Sequence, residues 1–506
     1  MNVRGVRRFP AVCVALSLAV WGCDPAPPHD EVKDEPEECA EDTVPASADL
    51  TPVDPATHAM PSWFTDAKFG VFIHWGVYSV PAWAPVGQYA EWYWFWQTIP
   101  LTAYASHHND TYGPSVLYDD FIPEFRAERW DPEDWIALIK ASGAKYWVLT
   151  TKHHDGFLLW PSDTTGRNAG ELGPKRDLVG DLMEANRCSG LKAGLYYSLP
   201  EWFTPAPRPP MYGTMALAFE NPHPIDPYTG LEVAYTGYRP VDDYATGQVI
   251  PQIRELVDRY HPSILWCDIG GDPAYYQSET WLGEFYADGL AHHPEGVVAN
   301  NRCGLPGDFA TPEYDPIPAA DGRFFESTRG LGASFGYNRN EQVDDYLTDA
   351  EAIFTLVDTV AAGGNLLLDI GPKADGTVPQ VMRDRLLAMG RWLDVNGEAI
   401  YATAPWALAQ TDPVASSVRY TVGADGSLYV LAEGWPGSEF VLGAPVALAA
   451  TSAITLLGGD GGALAHRTDG DHLVITMPDP STTAVEHAFV LRITDTNPQA
   501  APRPTR

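Results

Sequence analysis

Asp268 closes the apolar run Ile264-Leu265-Trp266-Cys267-Asp268, and a carboxylate in that position makes sense where a buried strand emerges into a cleft. One ionised carboxylate is half of what glycoside hydrolysis requires. A retaining mechanism places a nucleophile at the anomeric carbon and a second, protonated carboxyl about 5–5.5 Å away, which gives its proton to the leaving oxygen. Glu313, in Gly307-Asp308-Phe309-Ala310-Thr311-Pro312-Glu313-Tyr314, and Glu326, in Phe324-Phe325-Glu326-Ser327, are the downstream candidates. The chain has 67 acidic residues, so spacing alone does not choose between them.

Other polar side chains end apolar runs in the same way. His74 ends Phe69-Gly70-Val71-Phe72-Ile73, His153 and His154 follow Tyr146-Trp147-Val148-Leu149-Thr150-Thr151-Lys152, Tyr196 and Tyr197 end Ala193-Gly194-Leu195, and Arg302 follows Val297-Val298-Ala299-Asn300-Asn301. Trp75, Trp83, Trp92, Trp94 and Trp96 crowd around Glu91. Aromatic faces in a cleft suit the C–H faces of sugars, although any single ring in such a block is more simply core. The doublet His153-His154 raises a metal. Adjacent residues on a strand point to opposite faces, so both could reach one ion only across a bulge, and no spaced HExxH partner accompanies them. Hydrogen bonding to substrate is the better expectation, and no metal is assigned.

These five runs alternate with helical stretches, which predicts an α/β fold, a (β/α)8-like TIM barrel, with the chemistry at the carboxyl ends of its parallel strands. Asp131-Pro132-Glu133-Asp134 opens one crossover helix that ends at Ser142-Gly143, and others are expected over 177–188, 250–260, 350–361 and 381–395. Asn365-Leu366-Leu367-Leu368-Asp369-Ile370 reads as a late strand buried on both faces. The barrel domain is expected over 51–404. From 405 to 496, short alternating runs such as Ser417-Val418-Arg419-Tyr420-Thr421-Val422, with glycine-rich turns and no helices between, predict an antiparallel β-sandwich.

A net charge of -35 excludes nucleic acid as a natural partner, since nothing neutralises a run of phosphates. Arg4, Arg7 and Arg8 precede the apolar run Ala11 to Trp21, which is short for a bilayer span, so 1–22 is expected to be an export signal. Its end, Leu18-Ala19-Val20-Trp21-Gly22-Cys23, is similar to a bacterial lipobox with Cys23 as the lipidated residue. The expected location is a bacterial envelope membrane, through that anchor alone, or else the periplasm or exterior. Residues 23–50 are acidic and Pro-rich and read as a disordered tether, and 497–506 as a disordered tail. Cys39, Cys188, Cys267 and Cys303 permit disulfides, with no pair singled out by spacing; Cys267 reads as a core residue facing away from the cleft.

Four segments carry a resemblance: Ala67-Lys68-Phe69-Gly70-Val71-Phe72-Ile73-His74-Trp75-Gly76-Val77-Tyr78-Ser79-Val80-Pro81, Thr151-Lys152-His153-His154-Asp155-Gly156-Phe157, Gly173-Pro174-Lys175-Arg176-Asp177 and Ser334-Phe335-Gly336-Tyr337-Asn338-Arg339. Over about 61–406 the chain resembles alpha-L-fucosidases of glycoside hydrolase family 29. That resemblance implies a retaining hydrolase of terminal alpha-L-fucose on a fucosylated oligosaccharide or glycoconjugate, with no cofactor. Carried over residue by residue, it makes Asp268 the nucleophile and Glu313 the acid/base, with Glu326 as the alternative acid/base; the structural reading of Glu326 is a buried carboxylate orienting Arg or Trp neighbours. It also gives fucose to His74, Glu91, Trp92, His153, His154, Tyr196, Trp266 and Arg302. An Asp beside His and Arg is expected to stay ionised, and a second carboxyl near its charge to hold a proton; whether Arg302 pairs with an acid or binds hydroxyls stays open. A retaining glycosidase for a related sugar such as a galactoside, or a fucose-binding protein without turnover, are the alternatives.

Overall fold

The computed structural model describes residues 50–506 apart from 211–218, 220–222, 227, 315–322, 484–485, 497 and 499–506. The expected leader, Cys23, nearly all of the tether and of the tail lie outside the described residues. No helix among the described residues is long and apolar enough to cross a membrane.

The apolar runs form parallel strands: β1 (Phe69–Ile73), β2 (Tyr146–Lys152), β3 (Lys192–Ser198), β4 (Ile264–Asp268), β5 (Val298–Ala299), β6 (Glu326–Gly330) and β7 (Asn365–Ile370). Every residue of β1, β2, β4 and β7 is buried, as strands covered on both faces require. The order across the sheet is β5-β4-β3-β2-β1-β7-β6, so the late strand β7 returns beside the first, with Phe72 opposite Asp369.

β5 and β6 stand at the two ends of that order, and the chain between them fills the gap. Asp308 N–H donates to Ala299 O (2.8 Å) and Asn301 N–H to Phe309 O (2.9 Å) on the β5 side. On the other side Glu326 N–H donates to Ala310 O (2.8 Å), Thr328 N–H to Pro312 O (2.9 Å) and Tyr314 N–H to Thr328 O (2.9 Å). The segment 308–314 is therefore a stave that completes a (β/α)8-like sheet, and it carries Glu313. Pro312 has no N–H, so the pairing is a series of isolated bridges rather than a ladder. β6 was likewise not expected, because Glu-Ser-Thr-Arg-Gly has no apolar pattern.

Two clusters separate the layers. Phe72, Tyr146, Val148, Tyr196, Ile264, Trp266, Val298, Phe309 and Leu367 fill the interior. The alternate residues, such as Val71, Trp147, Leu195, Leu265, Cys267 and Leu368, pack outward against the helices. The crossover helices are α1 (Pro132–Ala141), α2 (Leu178–Asn186), α3 (Ile250–Tyr260), α4 (Ser278–His292), α5 (Asp349–Ala361) and α6 (Gln380–Asn396). Asp131 caps α1 by accepting from Asp134 N–H (3.0 Å), Asp177 caps α2 through Gly180 N–H (2.8 Å), and Thr348 and Glu351 form a capping box on α5. Gly143, at φ +85°, supplies the left-handed turn that stops the chain after α1.

C-terminal to the barrel are two antiparallel sheets, one of five strands and one of three. Both contribute to a single apolar cluster, in which Phe440 and Phe489 lie 5.2 Å apart. Trp392 of α6 donates its indole N–H to Ala488 O (2.8 Å), fastening this region to the barrel domain.

Candidate active site

A cavity of about 180 Å³ opens at the carboxyl ends of the strands. It is smaller than clefts built for larger ligands and on the scale of one sugar ring. His74, Glu91, Trp92, His153, His154, Tyr196, Trp266, Asp268, Arg302 and Glu313 all line it. Glu326 does not. Fully buried in the barrel interior, its carboxylate accepts from Tyr146 O–H (2.6 Å) and Trp266 Nε1–H (2.9 Å), so it fixes the ring on which the cavity rests.

Alternation along β4 turns Trp266 and Asp268 inward and Cys267 outward. Asp268 Oδ1 accepts from Arg302 Nη1–H (2.7 Å) and Ile269 N–H (2.8 Å), and Oδ2 accepts from Tyr196 O–H (2.7 Å). Burial pushes its pKa up, but the Arg302 charge and these hydrogen bonds outweigh burial and hold the carboxyl below its ordinary value. An anionic Asp268 results. Ile269 reaches the carboxylate by adopting φ 65°, rare for a β-branched residue, which locates backbone strain beside this group.

Arg302 pairs with both acids. Nη2 lies 2.7 Å from Glu313 Oε1, while Nε–H and Nη2–H donate to Thr311 Oγ1 and Thr311 O (each 2.8 Å). Its guanidinium rests 5.1 Å from the Trp266 ring centroid. The two carboxyls therefore share a cation instead of facing each other bare. Glu313 sits on the rim, its side chain 38% exposed against 12% for Asp268.

The histidine doublet departs from strict alternation. β2 ends at Lys152 after a register shift between Thr150 and Lys152, and His153 and His154 both turn into the cavity with ring centroids 4.1 Å apart. Ser198 O–H donates to Pro200 O (2.7 Å), so Ser198 Oγ accepts from His154 Nδ1–H at 2.5 Å. Burial holds His154 well below the ordinary histidine range, which leaves Nε2 as a bare acceptor, 3.5 Å from Asp268 Oδ2. Burial also lowers His74 and His153. His153 Nδ1 is buried with no partner among the described residues, a polar atom available to a sugar hydroxyl.

Glu91 is buried and raised to about 7 by desolvation, although it accepts from Gly336 N–H (2.8 Å) and Ser334 O–H (3.1 Å). Behind His74, Asp369 Oδ1 lies 2.5 Å from Nδ1, and burial pushes this carboxyl well up. Asp369 was missed. A lone acid in Leu-Leu-Leu-Asp-Ile was the available signal, but its role depends on the pairing that sets it opposite Phe72. Phe72, Tyr89, Ile269, Thr328 and Phe335 complete the lining. Phe72 was findable as the same-face neighbour of His74, two positions away, whereas Thr328 lies on β6, which has no apolar pattern to mark it as a strand.

Among the described residues, His261, Asp288 and His292 have metal-ligand spacing, at the opposite ends of the strands. Their two imidazoles stack at 3.6 Å and 18°, so the in-plane lone pairs run parallel rather than converging on an ion.

A family profile described as alpha-L-fucosidase matches residues 40–398. The chain belongs to the alpha-L-fucosidase family. As such it is a glycoside hydrolase of family 29. This fucosidase is 36% identical over 450 residues to human tissue alpha-L-fucosidase, covering 86% of the chain and 89% of that protein. It is 38% identical over 413 residues to human plasma alpha-L-fucosidase, covering 79% and 82%. The structure of Thermotoga maritima alpha-fucosidase in complex with a mechanism-based inhibitor superposes with a TM-score of 0.72 at 38% identity, covering 87% of the fucosidase and 98% of that chain.

Proposed function

We propose that this retaining alpha-L-fucosidase releases terminal fucose from glycans with Asp268 as nucleophile and Glu313 as acid/base. A carboxylate oxygen of Asp268 bonds to C1 as the C1–O bond to the aglycone breaks, and the proton on Glu313 passes to the leaving oxygen. Water then attacks C1, gives a proton to Glu313 and frees Asp268. The observation that carries this reading is Arg302 holding both carboxyls at one cavity, with Asp268 below its ordinary pKa and Glu313 on the rim where an aglycone exits. In the resting pocket Glu313 is paired with Arg302, so entry of substrate has to release that rim contact before Glu313 acts as an acid.

His74, Glu91, Trp92, His153, His154, Tyr196 and Trp266 surround a ring-sized space, which supports their assignment to the fucose. Glu326, with both oxygens engaged in the interior, is assigned the positioning of Trp266. The C-terminal sheets are read as a β-sandwich on the strength of their shared core. Export, with lipidation at Cys23, is supported by the leader-like start and by a buried disulfide between Cys267 and Cys303, a bond that persists in oxidising compartments. The test is release of fucose from a panel of fucosylated oligosaccharides and from 4-nitrophenyl alpha-L-fucoside. Activity in the wild type and loss in Asp268→Ala support the assignment; an active Asp268→Ala refutes it.

A further inference from the structure

The pairing of β4 with β5 stops after two residue pairs, Ile264 with Val298 and Leu265 with Ala299. Arg302 lies beyond it, in a turn, so no backbone ladder sets its position against Asp268. Two other devices tie its segment to β4. The Asn300 amide bridges the main chain of β4: Cys267 N–H donates to Asn300 Oδ1 (3.0 Å) and Asn300 Nδ2–H donates to Cys267 O (2.9 Å). Next to it, Cys267 and Cys303 form a disulfide buried at 0% exposure on both sides. The covalent link thus joins the residue before Asp268 to the residue after Arg302. The ion pair in the cavity and the disulfide behind it are two rungs between the same two segments.

We infer that Cys267, Cys303 and Asn300 are positioning residues for the fucosidase reaction, a clamp that holds Arg302 against Asp268 and makes turnover depend on the oxidised state of this cysteine pair. The inference rests on the reading of Asp268 as nucleophile. The physical reason is reach: an arginine on a turn can move its guanidinium by an ångström or more, and a displacement of that size at a reacting group costs about a hundredfold in rate. A released Arg302 also leaves Asp268 buried without its cation, so the carboxyl takes up a proton at higher pH. Reduction by a dithiol converts the bridge to two thiols while the reagent becomes its own cyclic disulfide, so the step needs no other reactant.

The test compares the full-length wild type with the double variant Cys267→Ala, Cys303→Ala, using kcat, KM and the pH profile of kcat/KM on 4-nitrophenyl alpha-L-fucoside. The clamp predicts a kcat lower by about 10- to 100-fold, a KM changed by less than about threefold, and an acid limb moved to higher pH. A double variant that is folded by circular dichroism yet keeps the wild-type kcat and acid limb overturns the inference. If the variant fails to fold, wild-type enzyme is treated with a dithiol and the 267–303 bond is followed by differential alkylation and peptide mapping. Loss of activity in step with alkylation of Cys267 and Cys303, with recovery on reoxidation, supports the clamp; full activity with both cysteines alkylated overturns it. Labelling by 2-deoxy-2-fluoro-fucosyl fluoride separates this inference from the one beneath it. A wild-type label on a residue other than Asp268 defeats the nucleophile assignment, whereas a label on Asp268 that forms as fast in the folded double variant defeats only the clamp.

Discussion

Removing the carboxyl of Glu313 separates the two acid/base candidates, because their surroundings differ so sharply. Glu313 reaches the cavity from the rim, whereas both oxygens of Glu326 are engaged by Tyr146 and Trp266 in the interior. General acid catalysis is worth about 10²- to 10⁴-fold, or about 2.7–5.5 kcal/mol of barrier. Glu313→Ala is therefore expected to lose about that factor on a glycan, whose leaving oxygen needs the proton. On 4-nitrophenyl fucoside, whose leaving group departs unaided, fucosylation is expected to change by less than about tenfold. Azide should restore turnover in this variant by entering the vacated space and yielding a fucosyl azide. Glu326→Gln keeps an oxygen for the Trp266 N–H and an amide for the Tyr146 hydroxyl, so its kcat should stay within a few-fold of wild type on both substrates. The assay is steady-state kinetics on both leaving groups with and without azide. If Glu313→Ala keeps its activity on the glycan while Glu326→Gln loses it, the acid/base role belongs to Glu326 and the reasoning from cavity lining is wrong.

Replacing Arg302 by Met removes the cation that holds Asp268 ionised; a charge-assisted hydrogen bond of about 1.5–3 kcal/mol corresponds to about one to two pH units. The acid limb of kcat/KM should move up by that amount, with Arg302→Lys restoring only part of the loss because a single ammonium cannot reach both carboxyls as the fork does; an unmoved limb contradicts the electrostatic account. Glu326 is raised by burial from 4.5 to about 7, so it stays protonated in the fold after the unfolded chain has released its proton. Its contribution to stability, about 3 kcal/mol, is fully present below 4.5 and lost as pH rises through about 7. Denaturant unfolding across that range should therefore fall less steeply with pH in Glu326→Gln than in wild type, and an identical slope counts against the buried-acid assignment.

The strand ends carried most of the cavity lining in the sequence, because an apolar run that stops at His74, Asp268 or Arg302 signals burial and a polar mouth within a few residues. The helices were legible from local chemistry, as with Asp131-Pro132 at the start of α1 and Ser142-Gly143 after it. What stayed hidden depends on pairing between distant segments. Asp369 matters only because β7 returns beside β1, Cys267 finds Cys303 only because β4 and β5 are neighbours, and the Glu313 stave is recognisable only once both of its flanking strands are placed. His153 and His154 share the cavity because β2 ends just before them, a boundary that residue alternation does not mark.

The covalent step is tested most directly by incubating the enzyme with 2-deoxy-2-fluoro-fucosyl fluoride, which slows the second displacement, and mapping the labelled peptide by mass spectrometry. The account predicts one fluorofucosyl group, on Asp268. A label on Glu313, Glu326 or any other side chain, or turnover of fucosides by an enzyme that never acquires a label, contradicts it.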